Sequence, residues 1–133
     1  MPVFGASSRR RLLTCDPRII LVANDVIRFT DFSVTCGHRT DEKQDELWAI
    51  GRTTPGRIVT YKQGGESVHN IDPSPAVDLA PWPIDWADHG RFMELAGAIR
   101  YAAWVRGFTL DWGGHWQTFK DLPHFQIPVE DRV

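Results

Sequence analysis

The chain has 133 residues, 42% of them hydrophobic, with six Trp and a formal net charge of −2. That length fits one compact domain, and the apolar content is enough for a real core, which excludes a disordered chain. The charge balance gives no basic field for nucleic acid, and no apolar run reaches the length of a membrane span.

Residues 1–11 end in Arg9-Arg10-Arg11, which reads as a solvated helix face. Leu12-Leu13 gives way at once to Thr14, Cys15 and Asp16, so the start does not read as a secretory signal and synthesis in the cytosol is expected. Cys15 and Cys36 lack CxxC spacing and make no disulfide framework; they read as small buried thiols. Asp16-Pro17 is an N-cap followed by a first-turn proline, opening a helix through Ile19, Ile20, Val22, Ala23, Val26 and Ile27. Residues 32–39 alternate, with Phe32, Val34 and Cys36 on one face and Ser33, Thr35 and Arg39 on the other, as in a half-buried strand.

Thr40 caps a short helix with Asp41 and Glu42 in its first turn, ending at Gly51. Residues 51–65 form a long loop, with a short strand expected at residues 57–60. Residues 76–80 form a strand with Val77 and Leu79 on one face and Ala76, Asp78 and Ala80 on the other. A longer helix over residues 88–106 carries Phe92, Leu95, Ala96, Ile99, Ala102 and Ala103 at helical spacing, with Gly107 as its stop. Short strands at residues 108–112 and 124–127 close an α+β chain: helices packed on a small, mainly antiparallel sheet.

Polar residues interrupt these patterns in three places. Asp78 lies in an apolar run with only alanines on its face, so it must be paired, hydrogen-bonded or metal-bound. His124 shares a strand face with Gln126, and Asp121 precedes it across Leu122-Pro123, a spacing that presents an acid and an imidazole to one point. His69 follows Ser67-Val68. Two His and one Asp supply three N/O ligands and leave a zinc position for water, with Asp121 as the separate carboxylate for its proton. A structural role for each residue taken singly is the competing reading. His38 reads as structural and His89 as exposed, while Trp82, Trp86, Trp112 and Trp116 read as core and rim packing, with a substrate platform as the alternative.

Together the stretches Ser67-Val68-His69, Ala76-Val77-Asp78 and Asp121-Leu122-Pro123-His124 resemble the zinc D-alanyl-D-alanine carboxypeptidase and L-alanyl-D-glutamate peptidase family, in its phage endolysin branch. The likeness extends to Gly37-His38-Arg39-Thr40, Gly51-Arg52-Thr53-Thr54-Pro55-Gly56, Ile84-Asp85-Trp86 and Trp112-Gly113-Gly114, in the family's order. Two departures stand out. The spacing from His69 to Asp78 is two residues longer than in the commonest family pattern, and His115 stands where many relatives have Asp.

The resemblance implies a Hedgehog/D,D-peptidase-like zinc peptidase fold in a single catalytic domain, residues 1–133. It implies one Zn2+ held by His69, Asp78 and His124, with Asp121 as base and Arg39 steadying substrate or the developing oxyanion. Ser67 is implied as a substrate contact and Gln44 as part of the cleft wall. The expected function is a monomeric endolysin that hydrolyses a peptidoglycan stem-peptide amide, L-alanyl-D-glutamate, after release to the cell wall. It would have no nucleic-acid partner and no stable membrane insertion. A D,D-carboxypeptidase or a non-catalytic zinc-stabilised wall-binding module are the alternatives.

Overall fold

The computed structural model describes residues 1–132. Four helices, α1 (Ala6–Leu12), α2 (Pro17–Val26), α3 (Asp41–Ala49) and α4 (His89–Val105), accompany four strands, β1 (Phe32–Cys36), β2 (Ala76–Pro81), β3 (Asp111–Trp112) and β4 (His124–Gln126). The strands form one sheet in the order β1-β2-β4-β3, with every neighbouring pair antiparallel. This is the expected α+β architecture. The larger differences are that residues 57–60 form no strand, β1 stops at Cys36, and β3 is only two residues long.

The expected signals place the helices. Asp16 caps α2 by accepting from the Arg18 N–H, Thr40 caps α3 through the Lys43 N–H, and Asp88 caps α4 through the Arg91 N–H. α2 turns Ile19, Val22, Ala23 and Val26 inward, and α4 turns Phe92, Leu95, Ala96, Ile99 and Ala103 inward. They meet Val34, Val77, Leu79, Phe125 and Ile127 of the sheet in one apolar core. Among the described residues, no helix is long and apolar enough to cross a membrane.

The basic run is partly tied down. Arg11 of α1 donates to the Val34 carbonyl of β1 at 3.1 Å, and Arg9 donates to the Phe4 carbonyl at 2.8 Å. The long connection from His69 to Asp78 is held as well. Its Ser74 is fully buried, donates its N–H to the Thr14 carbonyl and accepts from the Asp16 N–H, both at 2.8 Å. Residues 71–73 therefore bow out to the surface beside the junction of α1 and α2, while β2 keeps its place in the sheet.

Candidate active site

Strand register assembles the site. On β2, Asp78 lies opposite His124 of β4 on one side and Cys36 of β1 on the other. His69 comes from a single 3-10 turn, Val68–Asn70, whose cap is Ser67: its hydroxyl accepts the His69 N–H, and Asn70 returns a bond to the Ser67 N–H. The main chain of this turn is joined to the segment that follows β1, because the Arg39 N–H donates to the His69 carbonyl at 2.7 Å. One oxygen of Asp78, Oδ1, thus faces both His69 Nε2 at 3.3 Å and His124 Nδ1 at 3.2 Å. The two imidazoles meet edge to face with centroids 5.2 Å apart.

The outer ring nitrogens are also occupied. His69 Nδ1 lies 2.8 Å from the Gly37 carbonyl, and His124 Nε2 lies 2.7 Å from Gln126 Oε1. An imidazole that donates its outer N–H to an oxygen keeps a lone pair on its inner nitrogen. Two such lone pairs aimed at one carboxylate oxygen repel it unless a proton or a cation lies between. Without an ion, protons fill that role. Burial works against charging His69, but its hydrogen bond to Asp78 and the contact with Cys36 lift it to about 10. Burial opposes ionisation of Asp78 too, yet hydrogen bonds from His124 and His69 hold it well below the usual carboxylate range. Oxygen-held outer nitrogens with inward-facing inner ones are the arrangement that supports metal-ligating histidines.

Asp121 joins this cluster. Its carboxylate, Asp78 and His124 offer atoms within 4.8 Å of one another, as do Cys36, His69 and Asp78. Burial raises the Asp121 pKa, and the negative charge of Asp78 adds to the rise. Its main chain is fixed by a bond from its N–H to the Gly113 carbonyl at 3.0 Å and by one accepted from the His124 N–H at 3.2 Å.

These groups open onto a cleft of about 600 Å³, whose lining includes Arg39, Ser67, His69, Asp78, Asp121 and His124. Arg39 is held from behind by Gln44 Oε1, 2.8 Å from its Nη1, and by Cys36 Sγ, 3.2 Å from its Nη2. Gln44 itself does not line the cleft. It is 0% exposed, and its amide also donates to Thr60 Oγ1 at 3.1 Å and the Lys62 carbonyl at 2.8 Å. The expected substrate-binding role for Gln44 is thereby corrected to an internal brace. Asp72 is exposed and outside both clusters, and His115 packs its ring on Trp112 at 4.9 Å.

The four tryptophans form no common platform. Trp112 is buried and donates to the Leu122 carbonyl, Trp86 stacks on Phe92, and Trp82 borders a different hollow beside α1. Only Trp116 reaches the cleft, its ring 5.0 Å from that of His124. Sequence reasoning did not single out Tyr61 or Phe119 on the cleft rim, nor Gln126 as the partner of His124. The shared face of His124 and Gln126 was a usable signal; the Gly37 carbonyl, a main-chain group, left none.

Fold and site together define a small α+β protein in which Asp78 and His124 of the sheet meet His69 of a 3-10 turn, with Asp121 close by, in one cleft. The chain belongs to the phage L-alanyl-D-glutamate peptidase family, whose model matches residues 2–126. It is 36% identical over 105 residues to the peptidoglycan L-alanyl-D-glutamate endopeptidase CwlK of Bacillus subtilis, covering 73% of this chain and 60% of that protein. The chain thus spans less than two thirds of that relative's length. The solved structure of the Serratia marcescens L-Ala D-Glu endopeptidase ChiX superposes with a TM-score of 0.78 at 30% identity, over 97% of this chain and 92% of that one.

Proposed function

We propose that the chain is a peptidoglycan L-alanyl-D-glutamate endopeptidase that holds one zinc ion through His69, Asp78 and His124. The observation that carries this reading is the pair of inner imidazole nitrogens facing one oxygen of Asp78 while both outer nitrogens meet oxygen acceptors. Two nitrogens and a carboxylate suit zinc, and three protein ligands fit a catalytic rather than a structural site. Family membership and the two named relatives support the choice of bond.

Zinc, when bound, supplies Lewis acidity toward the scissile carbonyl and lowers the pKa of a coordinated water. Asp121 accepts the proton of the attacking water and passes it to the amine that leaves; burial keeps its carboxylate basic enough for this task. Arg39 faces the cleft with a guanidinium fixed by Gln44 and Cys36, suited to steadying negative charge that develops on the carbonyl oxygen. Ser67 lines the same cleft, and its hydroxyl is partly spent on capping the turn of His69. In this reading the enzyme works as a monomer, a single catalytic domain acting on the cell wall.

Mass spectrometry of digested muropeptides tests the bond, with products divided between L-Ala and D-Glu expected. Release of terminal D-Ala alone would overturn the endopeptidase assignment. Asp121→Asn is expected to lower kcat by roughly 10²- to 10⁴-fold while zinc content and melting temperature stay near wild type. Retained turnover in that variant would remove Asp121 as the base.

A further inference from the structure

Two rings at the cleft are too exposed to serve the core. Tyr61 is 64% and Phe119 66% exposed, yet both line the cavity that holds His69, Asp78, Asp121 and His124. They come from separate loops and meet edge to face, with centroids 5.6 Å apart and planes at 87°.

Both loops are braced. Tyr61 sits between Thr60 and Lys62, which are bound through hydroxyl and carbonyl to the buried amide of Gln44. Phe119 precedes Lys120, whose ammonium closes its loop by donating to the Gly114 and Trp116 carbonyls. Phe119 also has φ 49°, in the left-handed region that a bulky residue avoids. Strain of this kind persists where the surroundings enforce it and clusters at ligand sites. An edge-to-face pair of largely exposed aromatic rings therefore stands on braced loops in the wall of the same cleft.

We propose that Tyr61 and Phe119 form a subsite for a pyranose ring, the sugar that carries the stem peptide. This rests on the endopeptidase reading above. Close to the scissile bond the peptide offers only a methyl group and carboxylates, none of which matches a broad aromatic face. The sugar does: the C–H face of a pyranose covers a ring of this size and buries apolar area against it. Its position follows from chain length. A single L-Ala separates the scissile bond from the lactyl group on the sugar, and an extended residue spans at most about 3.6 Å, so the pyranose must lie at the rim of this same cleft.

The test compares two substrates of identical peptide sequence: one attached to N-acetylglucosaminyl-N-acetylmuramic acid, the other sugar-free and capped with lactate. Wild-type kcat/KM is expected to be about tenfold or more higher on the glycan-bearing substrate, carried mainly by KM. Tyr61→Ala and Phe119→Ala should erase that ratio, whereas Tyr61→Phe and Phe119→Tyr should retain it. Phe119→Gly relieves the left-handed strain, so it should erase the ratio without lowering the melting temperature, which separates loss of the ring from loss of fold. Equal wild-type kcat/KM on the two substrates, or a ratio that survives both alanine variants, would overturn the subsite. A loss of equal size on both substrates would also overturn it, assigning the rings to the scissile region. Failure of wild type to cut either substrate would instead sink the peptidase reading itself.

Discussion

The residue that most tightly controls the base is a glycine. A Cβ on Gly113 would sit 2.2 Å from the Asp121 carbonyl oxygen and 3.0 Å from Asp121 Cβ, and the neighbour is main chain that cannot rotate away. Gly113→Ala is therefore expected to push Asp121 off its position, lowering kcat by about tenfold or more with a smaller change in KM; steady-state kinetics on one muropeptide would measure it. Gln44 acts on the opposite wall. Gln44→Ala leaves the Lys62 carbonyl without its donor and the Arg39 guanidinium held by Cys36 alone, at a cost of about 1–3 kcal/mol. Denaturant unfolding should record that loss, with a drop in kcat/KM beside it, and Gln44→Glu should restore the hold on Arg39 but not the donation to Lys62.

At the scale of elements, α2 and the C-cap of α4 are cross-linked by Asp25 and Arg106, with Nη2 donating to Oδ1 at 2.9 Å. The hydrogen bond from Arg106 lowers the Asp25 pKa, so folding favours the charged carboxylate. A depressed folded-state value means the stabilisation is present above the unfolded pKa, about 3.9, and is lost as the pH falls through the folded one. Both side chains are more than a third exposed, so solvent screening keeps the contribution small, as for other surface ion pairs. Asp25→Asn should melt slightly earlier than wild type at pH 7, and the two curves should converge toward pH 2. A difference that persisted at low pH would assign the effect to something other than this ion pair.

Much of this element plan was legible. Asp16-Pro17, Thr40 with Asp41 and Glu42, and the spacing from Phe92 to Ala103 each describe a helix by local chemistry, and the alternation around Asp78 describes a strand. Residues 57–60 were misleading: Ile58 and Val59 suit a strand by propensity, but the segment pairs with none of the four strands, and Val59 and Thr60 line the cleft as loop. The site was legible only as a set of residue types. His69, Asp78, Asp121 and His124 do come together, but the register opposing Asp78 to both Cys36 and His124 is a pairing of distant segments, which no local pattern encodes. For the same reason Gln44 looked like a wall of the cleft. Its helix borders the site, and only the packed structure reveals that its amide turns inward.

For the whole molecule, the cluster ties β1, β2, β4 and the His69 turn to one point, so its occupancy should be felt throughout. A metal that binds only the folded chain adds about 2.7 kcal/mol when present at a hundred times its dissociation constant. Treatment with a chelator is expected to lower the melting temperature and abolish hydrolysis, and zinc should restore both. Calorimetry on chelated and reloaded protein would check this; an unchanged melting temperature would argue that the histidines and Asp78 need no ion. Substitution of His124 by Ala should flatten the calorimetric response to added zinc.

The bow between His69 and Asp78 has a meaning for how such sites tolerate change. Ser74 is moored to Thr14 and Asp16, so the slack of the longer connection is taken up at the outer surface of the molecule. Length in this connection is thus insulated from ligand geometry, much as a mooring line isolates a hull from the rest of its rope. The connection can gain a residue or two as long as the main chain at this point still pairs with Thr14 and Asp16. Conversely, Thr14 and Asp16, which do not line the cleft, become the anchor that variation in the bow depends on.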